Sequence, residues 1–168
     1  MVFNYCPKCG EKCGKKEIGD EGLIPYCVSC EKVLFNFFYT CVLCFVVDEK
    51  NNVVLTQGMV DGKLSGNYGG VAGFIKEGES AEDAAKREVK EEIGLTVSTL
   101  KYMKSYSRNK DMLMIIFICM TENSELTISE KELYSAKWFT KDEVKHIIRE
   151  YPAPWVEVLN SYLENNNE

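Results

Sequence analysis

Three glutamates with helical spacing are the first residues in this sequence that could carry out chemistry. Glu91 and Glu92 follow Glu88 by three and four positions. Residues at those spacings are neighbours on one helical face. Because like charges repel there by about 0.2–0.5 kcal/mol per pair, a cation would stabilise the group. Oxygen ligands with no His or Cys nearby suit Mg²⁺ or Mn²⁺. Taken alone, the helix fits a solvated acidic face equally well.

The residues beside this helix favour the metal interpretation. Arg87 precedes Glu88, and a guanidinium group can orient a carboxylate through two parallel hydrogen bonds. A glycine-rich stretch, residues 66–74 (GNYGGVAGF), leads toward the helix. Backbone without side chains can approach a phosphate closely or offer a carbonyl oxygen to a metal ion.

A second candidate metal site lies near the amino terminus, where five of the eight cysteines fall. Cys6 and Cys9 form one Cys-x-x-Cys pair, and Cys27 and Cys30 form another. Two such pairs predict a tetrahedral zinc site, although buried or redox-active thiols are the alternative. About thirty residues cannot build a core, so zinc would supply much of the folding free energy. Cys13 is expected to stay outside the site.

The remaining cysteines are expected to fill the core. Cys41 and Cys44 also form a Cys-x-x-Cys pair, but they lie in an apolar run that predicts a strand. Residues three apart on a strand point to opposite faces, so these two sulfur atoms should not meet at one ion. Cys119 lies in another apolar run and is interpreted in the same way.

Composition and charge restrict the class of protein. The 168 residues are 45% hydrophobic and 27% charged, which is typical of a soluble domain. The longest uncharged stretch, residues 33–47, is shorter than the roughly 20 apolar residues that span a bilayer. No secretory signal is visible, so we expect a cytoplasmic protein without a membrane partner. A net charge of −6 argues against nucleic acid as a partner.

The candidate residues must be positioned by strands and helices that the hydrophobic pattern predicts. A helix over residues 80–93 is capped by Ser80, with Asp83 three residues later, and ends at Gly94. Strands are predicted over residues 39–47, 53–56, 71–75, 96–106, 112–121 (a central strand) and 134–139. Residues 57–70 and 107–111 are predicted to be loops.

Two further helices are predicted near the carboxyl terminus. The first begins at Thr140, with Glu143 completing a capping box, and runs to about residue 150. Pro152 and Pro154 are expected to stop it. The second helix covers residues 155–163 and is followed by a frayed tail.

The segment from Gly73 to Leu95 (GFIKEGESAEDAAKREVKEEIGL) resembles the Nudix box at every fixed position and without a gap. The box consists of Gly, five residues, Glu, seven residues, Arg-Glu, an aliphatic residue, any residue, Glu-Glu, any residue, Gly and an aliphatic residue. The chain therefore resembles the Nudix hydrolase family. With the cysteine pairs before the box and ELYSAKWF at residues 132–139, it is similar to the zinc-ribbon-containing NADH pyrophosphatase-like group.

One segment departs from that group. Its downstream signature, Ser-Gln-Pro-Trp-Pro-Phe-Pro, is expected around residues 105–111, where this chain has SYSRNKD. That signature is associated with recognition of the dinucleotide. The resemblance therefore predicts the scaffold but not a specificity for NADH.

The resemblance implies a fold class and a domain organisation. The fold class is α+β, a Nudix-type α/β/α sandwich with a mixed sheet, preceded by a small zinc ribbon. The ribbon is expected over residues 1–36 and the Nudix domain over residues 37–168. The sequence leaves open whether the chain forms a homodimer.

The resemblance also implies an activity and a set of site residues. Water would attack phosphorus in a pyrophosphate bond of a small nucleotide substrate, a nucleoside diphosphate derivative such as NADH, NAD or ADP-ribose. The implied metal ligands are Glu88, Glu91, Glu92 and a main-chain carbonyl near Ala72 or Gly73. The implied alignment residues are Glu79 and Arg87, and the general base is Glu88 or Glu132. Candidates for stacking on a base or nicotinamide are Tyr68, Phe74 and Tyr106, with core packing as the alternative role.

Two other functions compete with the hydrolase interpretation. A Nudix-fold nucleotide-binding or sensor module would show eroded box glutamates, and none is eroded here. A zinc ribbon that docks nucleic acid or protein would need a charged footprint, but the ribbon's lysines are offset by neighbouring acids.

Overall fold

The protein was analysed as a computed structural model, which describes residues 3–60, 63–64 and 67–165. The chain divides into two compact units, Met1–Tyr39 and Thr40–Glu168. The division falls three residues beyond the expected boundary at residues 36/37. Across the described ranges, no helix combines the length and the apolar character needed to cross a bilayer.

The first unit is a small antiparallel sheet with almost no apolar interior. Its strands, in the spatial order β1-β2-β3, are β1 (Gly14–Glu17), β2 (Leu23–Cys27) and β3 (Lys32–Val33). Within its described part, only Cys6 and Cys27 are buried. The buried centre of this unit is therefore made of cysteine side chains, as expected for a segment too short to form a hydrophobic core.

The second unit is built on a seven-stranded sheet. Its elements are β4 (Tyr39–Val47), β5 (Val53–Val60), β6 (Lys63–Leu64), β7 (Val71–Phe74), α1 (Ala81–Ile93), β8 (Val97–Asn109), β9 (Met112–Thr121), β10 (Leu133–Phe139), α2 (Lys141–Ile147) and α3 (Ala153–Asn165). The strand order is β10-β5-β4-β9-β8, with β6 paired to β5 and β7 paired to β4. Strand β9 is an interior strand between β4 and β8, as predicted, and β4 lies in the middle of this order.

Helices cover both faces of this sheet because β4 is apolar on both sides. Cys41, Leu43 and alternate residues after them pack with buried residues of α2 and α3. Val42, Cys44 and Val46 pack with the apolar stripe of α1. This two-sided burial confirms the α/β/α sandwich and explains why β4 is continuously hydrophobic rather than alternating.

Residues 57–70, which were predicted to form a loop, contain more regular structure than the sequence predicts. Strand β5 continues through Val60 and pairs with β6, and the backbones of Thr56 and Gly69 exchange two hydrogen bonds of 2.7 Å. The loop predicted over residues 57–70 is therefore wrong in its first half. Residues 61–62 and 65–66 of that loop lie outside the described residues. The loop predicted over 107–111 is also wrong, because β8 continues to Asn109.

Helix α1 follows its prediction closely. The Ser80 hydroxyl accepts a hydrogen bond of 3.1 Å from the backbone N–H of Asp83. At the other end Gly94 has φ 76°, a left-handed conformation that glycine adopts without strain. Both ends are thus fixed locally, and the face that carries the glutamates is set by the sequence.

The carboxyl-terminal helices differ from their predictions in two places. The capping box of Thr140 and Glu143 is present, but α2 ends at Ile147 and continues as a 3₁₀ turn, Ile148–Glu150. Pro154 does not stop a helix, because it lies in the first turn of α3. A backbone N–H is unpaired at that position in any helix, so proline is tolerated there. Residues 166–168 of the predicted tail lie outside the described part of the chain.

Candidate active site

Two glutamates of α1 are held against the backbone of β7. Glu88 and Glu92 are buried, with exposed fractions of 8% and 6%. The Glu88 carboxyl group lies so close to Gly73 that a Cβ atom at residue 73 would overlap it. The backbone N–H of Ala72 donates a hydrogen bond to Glu92. Strand β7 therefore positions both carboxylates, and only glycine at residue 73 permits this approach.

Arg87 connects the carboxylates of this region. Its Nε and Nη2 atoms donate hydrogen bonds of 2.7 and 2.9 Å to the two oxygens of Glu79. Its Nη1 atom donates to Glu88 at 2.5 Å and to Glu91 at 3.0 Å, and Nη2 also donates to the carbonyl of Phe74 at 3.0 Å. The bidentate pair with Glu79 fixes the guanidinium plane, which in turn orients Glu88 and Glu91.

The pKa values of these groups follow from their neighbours. Hydrogen bonds from Arg87, and then from the backbone of Lys76, lower the pKa of Glu79 to about 2. Burial, reinforced by the charges of Glu88 and Glu132, raises the pKa of Glu92 to about 8. Glu79 is thus a permanently charged partner of Arg87. Glu92 is a carboxyl group that favours its neutral form until a cation compensates its charge.

The donor set fits a hard divalent ion. Buried carboxylates carry a charge at high cost unless they are paired or coordinate a metal. Glu88 and Glu92 are the two such groups next to an accessible backbone, and oxygen donors suit Mg²⁺ or Mn²⁺. Glu91 differs, because its side chain is 49% exposed and is bound to Arg87. Within the described ranges, three or more ligand atoms converge on one point only among the N-terminal cysteines.

A cavity of about 950 Å³ opens in front of these carboxylates. It collects most of the residues that the sequence assigns to metal, catalysis or substrate: Tyr68, Gly73, Phe74, Arg87, Glu88, Glu91, Glu92 and Glu132. Glu79 is not among the lining residues and acts through Arg87. The cavity therefore brings Glu132, which is distant in sequence, to the box glutamates.

One expected substrate contact falls elsewhere. Tyr106 does not line the cavity, and its hydroxyl accepts a hydrogen bond of 2.6 Å from the indole N–H of Trp155. Trp155 itself does line the cavity. Tyr106 is thus placed as a support for a cavity residue rather than as a contact for the substrate.

The sequence alone does not identify several other lining residues. Arg108 lies on β8 within the segment that departs from the expected signature, and Lys131 immediately precedes Glu132. Tyr151 and Pro152 come from the junction before α3, and Trp155 lies in its first turn. In the amino-acid sequence, none of these five residues differs from an ordinary surface or core residue. The only available signal was the aromatic and proline content of residues 151–155.

The four predicted cysteines of the first unit converge as a tetrahedral site requires. The Sγ atoms of Cys6, Cys9, Cys27 and Cys30 all lie within 4.8 Å of one another. The Cys6–Cys30 and Cys9–Cys27 separations are 4.0 and 3.5 Å, close to the ~3.8 Å between sulfurs bound at ~2.3 Å to one tetrahedral zinc ion. Backbone N–H groups of Cys9 and Lys8 lower the pKa of Cys6 to about 7.

The other cysteines lie where the sequence places them. Cys13 is outside the four-sulfur group. Cys41 and Cys44 are buried on opposite faces of β4 and belong to different core clusters. A hydrogen bond with Cys119 and burial raise the pKa of Cys44 well above its usual range. Cys41, Cys44 and Cys119 are therefore buried core residues outside the four-sulfur group.

Replacing Gly73 with Ala should reduce hydrolysis of a pyrophosphate substrate by roughly 10–100-fold, the usual loss when a residue that positions a metal ligand is mutated. The added Cβ would overlap the Glu88 carboxyl group and force it away from β7. Steady-state kinetics with Mg²⁺ tests this. The matched control is Gly14→Ala in the first unit, where the nearest atom is 3.8 Å from the new Cβ. Full activity in Gly73→Ala would show that the Glu88–Gly73 contact is unimportant.

Comparisons with known proteins agree with the box and the sandwich. The NUDIX domain model matches residues 38–159. The chain is similar to the NAD-capped RNA hydrolase NudC of Vibrio vulnificus, with 30% identity over 145 residues that cover 86% of this chain and 53% of that protein. It is also similar to the NAD-capped RNA hydrolase ndx-9 of Caenorhabditis elegans, with 28% identity over 88% of this chain and 39% of that protein. The chain thus spans about half the length, or less, of these relatives.

A solved structure supports the fold at lower sequence identity. The crystal structure of a NUDIX hydrolase from Nitrosomonas europaea superposes with a TM-score of 0.72 at 19% identity, covering 98% of this chain and 92% of that one. Similarity at this identity is evidence for the fold alone.

Proposed function

The chain belongs to the Nudix family, and on that premise we propose that it is a hydrolase that uses Mg²⁺ or Mn²⁺ to cleave a pyrophosphate bond in a nucleoside diphosphate derivative. The observation that carries the proposal is the pair of buried carboxylates, Glu88 and Glu92, seated on the backbone of β7 inside a cavity of about 950 Å³. Two buried acids facing a cavity would repel a pyrophosphate without a cation. The pair is therefore suited to binding the phosphates through a divalent ion.

Each residue of the site has a defined part in this proposal. When bound by Glu88 and Glu92, a divalent ion neutralises phosphate oxygens and acidifies a water molecule. Arg87 holds Glu88 in position and is itself held by Glu79. Glu91 shares Arg87 with Glu88 and is more exposed, which supports a position at the edge of the proposed metal-binding group.

Glu132 is the better candidate for the general base. It lines the cavity and lies close enough to raise the pKa of Glu92. Glu88 is bound to Arg87 at 2.5 Å, whereas the Glu132 side chain has no hydrogen bond or ion pair with another described residue. A carboxylate free of a fixed partner can accept the proton of the attacking water.

The proposed substrates join a nucleoside diphosphate to a second group, as in NADH, NAD and ADP-ribose. The relatives are named as hydrolases of NAD-capped RNA, so RNA that begins with such a linkage belongs among the candidates despite the acidic net charge. We further propose that the first unit, residues 1–36 in the predicted ribbon, holds one structural Zn²⁺. The cytoplasmic location and a homodimeric state stay predictions.

The test is a panel of NADH, NAD, ADP-ribose, nucleotide sugars, NAD-capped RNA and nucleoside triphosphates, incubated with Mg²⁺ or Mn²⁺. Products are identified by mass spectrometry. Release of two nucleoside monophosphates from NADH or NAD supports the proposal. If nucleotides bind but no member of the panel is cleaved, the protein is instead a nucleotide-binding module.

A further inference from the structure

Strand β8 carries a β-bulge near its end, and Arg108 lies at this bulge. Ser107 is opposite Leu113 of β9 and Asn109 is opposite Met112, so Arg108 is an extra residue without a Cα partner. The Ser107 hydroxyl donates a hydrogen bond of 2.7 Å to the carbonyl of Asn109 and thereby spans the bulge. A bulge bends its strand and redirects a side chain, and bulges are frequent next to active sites. The irregularity of β8 therefore serves to place Arg108.

Arg108 lines the cavity that also contains the box glutamates. Its charge acts on the Cys41 thiol, as does the charge of Glu88: burial raises the pKa of Cys41, Arg108 lowers it, and Glu88 raises it further. Cys41 is opposite Phe74 in the pairing of β4 with β7. The guanidinium group and the Glu88 carboxylate therefore lie around the same end of β4, within electrostatic reach of one thiol.

Among the described residues, four cations line the cavity, and three of them adjoin its glutamates. Arg87 is bound to three glutamates. The Nζ atom of Lys76 lies 4.0 Å from a carboxylate oxygen of Glu91, and Lys131 directly precedes the candidate general base. Arg108 is exposed and has no hydrogen bond or ion pair with another described residue. It is therefore available to a ligand without disturbing the carboxylate group.

The charge of the cavity restricts which part of a nucleotide Arg108 can bind. The cavity is lined by five carboxylates: Glu88, Glu91, Glu92, Glu132 and Glu150. On the proposed function, a divalent ion compensates the pyrophosphate that approaches them. A ribose or a reduced nicotinamide ring offers no negative charge to a guanidinium group, and an oxidised nicotinamide ring is itself a cation. A phosphate group, in contrast, accepts two parallel hydrogen bonds from arginine.

We propose that Arg108 binds a phosphate group that the substrate carries beyond its pyrophosphate, so that the enzyme prefers phosphate-extended nucleotides. Two sources share this chemistry. One is a phosphate ester on the ribose, as in NADP or in the first internucleotide linkage of NAD-capped RNA, and the other is a third phosphate in a linear chain, as in ATP. The proposal rests on the proposed function for the bond that is cleaved, and it makes Arg108 a specificity residue rather than a catalytic one.

The first experiment is steady-state kinetics with Mg²⁺ on pairs of substrates that differ by a phosphate. The pairs are NAD and NADP, NAD and NAD extended at its adenosine 3′-hydroxyl by one nucleotide, and ADP and ATP. The wild type should have the lower KM for the extended member of at least one pair. Because hydrogen bonds to charged groups are strong, Arg108→Gln should raise that KM about tenfold. The kcat, and the KM of the unextended member, should not change. The pair that responds identifies the source of the phosphate.

Two further variants test the chemistry of the contact. Arg108→Lys keeps the charge but loses the paired hydrogen bonds, so its KM for the extended member should lie between those of the wild type and Arg108→Gln. Lys110→Gln is the matched control, because Lys110 is an exposed cation two residues away that does not line the cavity. Its KM values should equal those of the wild type. A rise in Lys110→Gln of the same size would reveal a general effect of surface charge and would overturn the proposal.

The unextended members decide whether Arg108 binds a phosphate or another group. An equal rise in KM for both members of each pair in Arg108→Gln would indicate that the guanidinium group stacks on a ring that the members share, which would contradict the proposal. An unchanged KM for every extended member would contradict it as well. Circular dichroism confirms that each variant is folded, which is expected because Arg108 is exposed.

A binding measurement separates this proposal from the proposed function. If no substrate is cleaved, the same pairs are stable with Mg²⁺ present, and their dissociation constants are measured by equilibrium dialysis. Tighter binding of an extended member that is lost in Arg108→Gln would support the phosphate contact although the hydrolase proposal had failed. Cleavage of NAD, with Arg108→Gln handling every extended member as the wild type does, would support the hydrolase and overturn the contact. Equal wild-type KM values or dissociation constants within every pair would also overturn it.

Discussion

Replacing Glu92 with Gln should reduce the rate of pyrophosphate hydrolysis by roughly 10²–10³-fold, the loss typical when one preorganised electrostatic group is removed from an active site. Glu92 is 6% exposed, receives a hydrogen bond from Ala72, and shares its wall of the cavity with Glu88. Gln has the same shape but carries no charge, so it removes the anionic ligand without opening a cavity. The measurement is kcat and KM with Mg²⁺ on whichever substrate of the panel is cleaved.

A control on the same helix separates loss of the ligand from a general change in charge. Glu82 is exposed, and Glu82→Gln should keep wild-type kinetics. Nearly unchanged turnover in Glu92→Gln would rule out the metal-binding role of this residue. A loss of turnover in Glu82→Gln of the same size would show that the helix as a whole is sensitive to neutralisation.

The stability of Glu92→Gln gives a second readout. The fold raises the pKa of Glu92 to about 8 from an ordinary value of 4.5. Below pH 4.5 the neutral carboxyl group therefore makes its full favourable contribution to the free energy of unfolding. This contribution is lost as the pH rises through about 8. Gln stays neutral, so without added Mg²⁺ the variant should unfold at a higher temperature than the wild type at pH 8. Near pH 4 the two should unfold at similar temperatures. Lower stability of the variant at pH 8 would show that Glu92 is stabilised by its charge.

The predictable part of the site is the part that is continuous in sequence. Ser80 and Gly94 fix the ends of α1 through contacts within a few residues. The face that carries Glu88 and Glu92 then follows from helical geometry. The pairing of the four cysteines proposed to bind zinc was predictable for the same reason, because each Cys-x-x-Cys turn is a local structure. Local geometry also explains why Cys41 and Cys44 could be excluded as ligands before the structure was known.

The rest of the site depends on contacts between distant segments. Arg108 reaches the cavity because β8 extends to Asn109, three residues beyond the predicted end at residue 106. Trp155 faces the cavity because α3 begins at Ala153 and because Tyr106, 49 residues away, binds its indole N–H. The hydrophobic pattern of these segments does not predict that Arg108 and Trp155 line the cavity. The sequence therefore indicates Tyr106, together with Tyr68 and Phe74, as a candidate for stacking, whereas the structure places Trp155 and not Tyr106 at the cavity.

The largest stability effect is expected in the first unit. Replacing Cys27 with Ser should abolish zinc binding and unfold residues 3–38. Cys27 is completely buried at the end of β2, in a unit that has no other buried residue except Cys6 in its described part. Structural zinc contributes about 10–16 kcal/mol in zinc-finger peptides. Residues 3–39 of this unit form no apolar core that could replace such a contribution, so the metal and the fold should be lost together.

Cys13→Ser is the matched control, because Cys13 lies in the same unit but outside the four-sulfur group. Zinc content measured by elemental mass spectrometry should be one ion per chain for the wild type and Cys13→Ser, and near zero for Cys27→Ser. Limited proteolysis should then cut Cys27→Ser within the first unit. It should spare residues 40–165, which have buried clusters of their own on both faces of the sheet. An intact first unit in Cys27→Ser, or equal zinc loss in Cys13→Ser, would contradict a site formed by Cys6, Cys9, Cys27 and Cys30. The converged sulfurs would then be a reduced thiol cluster, and the stability of the unit would have to come from its backbone hydrogen bonds alone.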